Sequence, residues 1–473
     1  MGRPVVLLSL LLVATWASGE QVYTCNGTEL LSAELLAEIR SYAPVVQNIV
    51  DFVMHGPEGN RTYEELAKFV DQFGARISGS RNLENAIDYM VELLGRQRLD
   101  RVYTERVAVP HWVRGNESAW IVRPRMQRLN MLGLGGSVGT PPGGIIAPVL
   151  VVRSFRELHI NVSKARGKIV VFDEEYSSYA YTVLYRENGA VEAERVGAVA
   201  ALVRSVTPFS IGSPHTGWMN YARGERRIPC AAITLEDAQL LRRMQDRGIE
   251  PYVHLVMDAE NLPLATSRNT IAELNGATKP EEVVLVSGHL DSWDVGQGAM
   301  DDGGGAFISW RALAVLRQLG LRPRRTLRAL LWTGEEEGVW GGRAYYERHT
   351  ARDLSLLNLV MESDLGTFKP LGLRLAAANP RARCMAAQVL SLFDAINATR
   401  LTLGPDGPDI QPWVDAGVPG ASLDTDNRAY FFFHHTDGDS MTVEDPTNLD
   451  LCTAFWAATA YIFADLSERL PRP

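Results

Sequence analysis

Four short apolar runs in the second half of the chain, at residues 283–287, 326–332, 357–361 and about 420–423, have the length of buried strands. Stretches with helical apolar spacing separate them. One places Ile308, Ala312, Val315 and Leu319 on a single face before Gly320 and Pro323 stop it. Another, near the end, repeats at Leu449, Cys452, Trp456, Thr459, Phe463, Leu466 and Leu470. Buried strands that alternate with helices pair in parallel and are covered on both faces. The expected fold is therefore α/β, a mostly parallel central sheet with helices on both sides.

Open sheets of this kind bind ligands beyond the carboxyl ends of their strands. Here those positions hold metal-ligand residue types. The first run leads into His289 and Asp291, the second into Glu335, Glu336 and Glu337, and the third into Glu362 and Asp364. Between the first two, a glycine-rich stretch carries Asp301 and Asp302 and opens a helix. Each residue alone has an ordinary explanation, as a solvated turn, a helix cap or a core histidine. Together, carboxylates and imidazoles converging on one sheet edge would repel and resist desolvation unless cations neutralised them. His289 and Asp291 lie two apart on an extended segment and point the same way, so Asp291 can hold the imidazole in its metal-binding tautomer. Glu335 and Glu336 diverge, so one can bind metal while the other faces a water. A second imidazole comes from His434 or His435, directly after the aromatic run 430–433.

The rest of the chain sets the context. A length of 473 residues allows about three domains. The net charge of -9, with no block of Lys or Arg, lacks the footprint of a nucleic-acid binder. Residues 1–19 carry Arg3, a short apolar run and a small-residue end, which reads as a secretory signal too short to span a membrane. Sequons at Asn26, Asn60, Asn116, Asn161 and Asn397 are glycosylation candidates in that compartment. The four cysteines form no CxxC, and Cys384 and Cys452, in helical apolar stretches, read as buried free thiols. Helices are expected at 63–70 and at 83–94, the second capped by Asn82. The glycine-rich segment 131–144 reads as turns, since it lacks any phosphate-loop pattern. Short strands at 149–152, 168–172 and 198–203 and a helix through 190–196 follow it. There is no HExxH.

The ordered motifs His289-x-Asp291, Asp301-Asp302-Gly303, Trp332-x-x-Glu335-Glu336, Glu362-Ser363-Asp364 and His435-Thr436 resemble those of the co-catalytic zinc aminopeptidase and glutamate carboxypeptidase family. The likeness covers nearly the whole chain after the signal. It implies two Zn2+ ions per subunit, with Asp301 bridging, His289 and Asp364 completing one site, and Glu336 and His435 the other. Glu335 is then the general base, and Asp291 supports from behind the ligands. The register from Trp332 to Gly338 selects Glu335 and Glu336, and the Thr after His435 selects it over His434. The resemblance also implies a pro-segment at 20–44, a peptidase domain at 45–123 and 266–473, and a protease-associated domain inserted at 124–265. It further implies a homodimer. The expected function is a zinc-dependent exopeptidase that hydrolyses dipeptides and short peptides with free termini by metal-activated water, in the secretory pathway or outside the cell. Whether the pocket holds a substrate ammonium or carboxylate stays open. The alternatives are glutaminyl-cyclase-type acyl transfer on a related fold and a non-catalytic glycoprotein binding module.

Overall fold

Residues 22–25, 29–404 and 407–473 are described by the computed structural model. The expected signal at 1–19 and the sequon Asn26 lie outside the described residues. Strand β1 (Arg101–Val113) leads out of one sheet and directly into another. That second sheet is built from β2 (Glu117–Arg123), β3 (Gln127–Leu129), β4 (Met131–Gly133), β5 (Ile145–Val152), β6 (Ile169–Phe172), β7 (Ala200–Arg204), β8 (Cys230–Ile233) and β9 (Tyr252–Met257). The chain returns through β10 (Glu260–Leu274), which lies antiparallel against β1. The first sheet is then completed by β11 (Lys279–His289), β12 (Arg325–Trp332), β13 (Leu357–Glu362), β14 (Pro370–Ala376), β15 (Arg400–Leu403) and β16 (Gly420–Thr425).

The first sheet has the order β1-β10-β12-β11-β13-β16-β14-β15. Its four middle strands, β12, β11, β13 and β16, are the four apolar runs of the sequence, and they pair in parallel. The flanks depart from the expected mostly parallel sheet, since β1, β10 and β14 each make antiparallel pairs. The fold is a mixed α/β one with a parallel centre. Alternation along the middle strands sends Val284, Val286, Leu327, Ala329, Leu331, Leu359 and Met361 to one face. There they meet the helices Arg61–Phe73, Arg81–Gly95, Gly304–Gln318 and Pro446–Asp465. Val283, Leu285, Leu330, Trp332 and Val360 face the other way, against Tyr345 of helix Trp340–Asp353 and Trp413. Each large side chain buried in this way, such as Phe307 or Trp310, contributes about 1.5–3 kcal/mol.

Three local expectations change. The second expected helix starts at Arg81, and Ser80, not Asn82, caps it by accepting from the Leu83 amide at 3.1 Å. The Asn82 amide instead donates to the carbonyls of Phe73 and Ala75, because residues one step inside a helix point back toward the preceding chain. Cys384 is not a free thiol: it forms a disulfide with Cys25, while Cys452 is free and buried as expected. Periodicity placed Cys384 in a helix but could not show that Cys25 lies beside it. The last helix ends at Asp465, so Leu466 and Leu470 reach the main core from the non-helical segment that follows it.

Candidate metal centre

The carboxyl ends of β11, β12 and β13 lie side by side, with His289 opposite Trp332 and Ser287 opposite Glu362. Adjacency of these strands brings His289, the turn after Trp332 and Asp364 to one rim. The irregular turn Ala299–Gly303 adds Asp301, and the segment after helix Tyr430–Phe433 adds His434 and His435. His289 Nε2 lies 3.3 Å from Asp301 Oδ1, 3.2 Å from Asp364 Oδ1 and 3.9 Å from Glu335 Oε2. His435 Nε2 lies 3.0 Å from Glu336 Oε2 and 3.4 Å from Asp301 Oδ2. The two oxygens of Asp301 thus face two different histidines.

The far side of each ring fixes which nitrogen carries the proton. His289 Nδ1 is 3.0 Å from the Asp291 carbonyl, and His435 Nδ1 is 3.2 Å from the Thr216 carbonyl. A carbonyl can only accept, so Nδ1 donates in both rings, which leaves each Nε2 turned toward the carboxylates, as a donor when the ring is charged and as a cation ligand when it is neutral. Asp291 therefore orients His289 through its backbone; its carboxylate, 3.8 Å from the ring, instead accepts from the amides of Glu335 and Glu336 at 3.3 and 3.2 Å. This one residue steadies both His289 on β11 and the glutamate turn after β12.

The donor set is the kind that holds cations. Asp301 Oδ2 and Glu336 Oε1 are buried without a hydrogen-bond partner among the described residues. Burial, together with the charges of Asp364, Asp409 and Asp291, pushes the Glu335 carboxyl well above its usual range. Burial and Asp301 do the same to Glu336, and burial raises Asp364 to about 6. Clustered buried carboxylates and orphaned buried oxygens are costly alone and favourable around divalent ions. His289, Asp301 and Glu336 offer ligand atoms within 4.8 Å of one another, as do Asp301, His434 and His435. Asp302 also lies near, but its oxygens accept from the amides of His289 and Gly305 at 2.9 and 3.1 Å, which occupies them structurally.

Several residues that position this rim carry no pattern in the sequence. Asp439 accepts from the amides of Ala299, Met300 and Asp301 at 3.0, 2.8 and 3.1 Å, clamping the turn that presents Asp301. Arg76 is fully buried and donates to the carbonyls of Leu290, Gly74, Gln297 and Gly298. The second sheet contributes too, although its sequence held no cluster of catalytic residue types. Thr216 receives the His435 ring and donates its amide to the His435 carbonyl at 3.0 Å, supporting a backbone with φ of 62°. His215, which had no evident partner in the sequence, has its Nδ1 2.6 Å from the His434 carbonyl. A cleft of about 830 Å³ opens over the centre, lined by both sheets' segments.

Peptidase family M28 matches residues 269–460 of the chain. Carboxypeptidase Q of Xenopus laevis is 55% identical over 435 residues, covering 92% of each chain. The M28 peptidase precursor of Shewanella amazonensis superposes with a TM-score of 0.87 at 32% identity, over 92% of this chain and 99% of that one. BSAP, a zinc aminopeptidase from Bacillus subtilis, shares the fold with a TM-score of 0.66 at 19% identity, over 88% of this chain and 97% of that one.

Proposed function

Because the chain belongs to peptidase family M28, with carboxypeptidase Q among its relatives, we propose that it is a zinc-dependent exopeptidase whose centre holds two zinc ions. The observation that carries the count is the placement of Asp301 between His289 and His435, one carboxylate oxygen to each. Asp301 would be shared between the two ions, with His289 and Asp364 holding one and Glu336 and His435 holding the other. His434 is the weaker choice, since its Nε2 reaches only Asp301, at 3.6 Å, whereas His435 also meets Glu336.

Bound zinc supplies a Lewis acid for the scissile carbonyl and a water whose pKa falls from 15.7 toward about 7. Glu335 lines the cleft with its Oε2 3.9 Å from His289 Nε2, close enough to the centre to serve as a group that must move a proton. It takes the proton from the attacking water and returns it to the leaving amine. The substrates are dipeptides and short peptides with free ends. The match to peptidase family M28 and the carboxypeptidase Q relatives favour neither a non-catalytic binding module nor acyl transfer of the glutaminyl cyclase kind.

The second sheet is read as a protease-associated insert, expected at 124–265; its strands span 117–257 between the paired β1 and β10. The expected pro-segment at 20–44 includes Leu35, Leu36 and Ile39, which are buried in the main core, and Cys25, so a cut near Pro44 would leave it tethered by the disulfide. Secretion follows from the signal and the sequons. Asn60, Asn116 and Asn397 are exposed, whereas the half-buried Asn161 amide donates to the Glu157 carbonyl at 2.9 Å. The homodimer rests on the family resemblance and is tested by sedimentation. For the chemistry, Glu335→Gln removes the base but no ligand. It is expected to keep zinc and lose at least about a hundredfold in turnover, measured on free dipeptides; near-normal turnover would contradict the role.

A further inference from the structure

The zinc peptidase reading leaves open which end of the substrate the cleft recognises, and the inserted sheet supplies a group for that task. Arg186, on the helix Tyr179–Arg195, lines the same cleft as Asp301 and Glu335. It is only 7% exposed, yet no Asp or Glu pairs with it among the described residues, and its Nε has no partner. Of its five N–H donors, one bond is made to a side chain, from Nη2 to the Tyr179 hydroxyl at 3.0 Å. Tyr179 is itself fixed, stacked on Phe431 at 5.0 Å and edge-on to His434 at 5.3 Å. Gly217, with φ of 144°, lies under the guanidinium, and any side chain there would overlap it. The charge is close enough to act on His434 and His435.

A buried guanidinium without a carboxylate is costly, and a fork held flat by its surroundings is built to meet one. We propose that Arg186 is a specificity-determining residue that binds the free carboxylate of the substrate's C-terminal residue, so that the cleft releases that residue from dipeptides. The inference rests on the exopeptidase reading. A dipeptide carboxylate lies one residue beyond the scissile carbonyl, so an anchor for it belongs beside the metal ligands rather than at the cleft mouth. Arg343 also lines the cleft but is exposed, where water screens its charge. The Arg186 fork rejects a C-terminal amide because the amide removes the negative charge and turns an N–H toward its donors.

The test compares Ala-Leu with Ala-Leu-amide as substrates of the full-length protein, reading kcat and KM separately, with zinc content and thermal melting recorded for each variant. Wild-type protein is expected to prefer the free acid by at least about a hundredfold in kcat/KM. Arg186→Met is expected to reduce that preference by about thirtyfold or more, chiefly through KM for the acid. Arg186→Lys, which keeps the charge without the fork, is expected to lose about tenfold of the preference and carries the test if the methionine variant does not fold. Arg343→Met is expected to keep the preference. A preference that survives both Arg186 substitutions, or that is lost in Arg343→Met, overturns the assignment. Wild-type protein that binds zinc and cleaves both substrates equally also overturns it while leaving the peptidase reading intact. Wild-type protein with neither zinc nor cleavage overturns both.

Discussion

At the scale of the residue, the centre is a set of carboxylates whose positions are set by backbone amides. Asp439 shows this most clearly, since three successive amides of the turn carrying Asp301 donate to its two oxygens. Asp439→Asn would turn an amide group toward those donors, leaving at least one unmatched at a cost of about 1–3 kcal/mol. Zinc affinity, measured by competition with a chromophoric chelator, is expected to fall about 10–100-fold although no ligand is changed; unchanged affinity would show that the clamp is dispensable. His289, Asp301, Glu335, Glu336, Asp364 and His435 were legible in the sequence because each follows an apolar run or lies in an ordered motif. Asp439 and Arg76 were not, because their partners are backbone groups of distant segments, and a backbone group leaves no residue-type signal. The role of Asp291 was legible as a residue but not as an atom: the sequence pointed to its carboxylate, and the ring bonds its carbonyl.

At the scale of the element, periodicity located β11, β12, β13 and β16 and the helix Gly304–Gln318, since continuous apolar runs and a 3.6-residue stripe differ in length and spacing. The antiparallel flanks were not legible. Strands β1 and β10 are half exposed at their outer ends and neighbours only because the chain makes an excursion of more than a hundred residues between them. The same blindness to long-range pairing hid the link between Cys25 and Cys384, which are 359 residues apart. That link ties the first described segment to the helix Pro380–Leu390, reinforced by the Tyr23 amide on the Leu401 carbonyl at 2.7 Å. Removing it by Cys25→Ser is expected to destabilise the protein by about 2–4 kcal/mol. A lowered midpoint in denaturant, at unchanged dipeptidase activity below the transition, is the expected result; an unchanged midpoint would mean that packing alone holds the segment.

At the scale of the whole molecule, two sheets meet over one cleft and divide its work. The first presents the clustered carboxylates and His289 at its strand ends, and the second brings the Thr216 carbonyl behind His435 and Arg186 to the lining of the cleft. No helix among the described residues is long and apolar enough to cross a membrane. The sequence indicated that the middle segment was a separate unit, but not that it reaches back into the centre, because His215, Thr216 and Arg186 come near His434, His435 and the cleft only once both sheets are folded. On the proposed reading, two zinc ions would share Asp301. Anomalous diffraction at the zinc edge from crystals of the purified protein tests this most directly: two peaks flanking Asp301, one beside His289 and Asp364 and one beside Glu336 and His435, are the predicted result, and a single peak, or peaks away from Asp301, would contradict it.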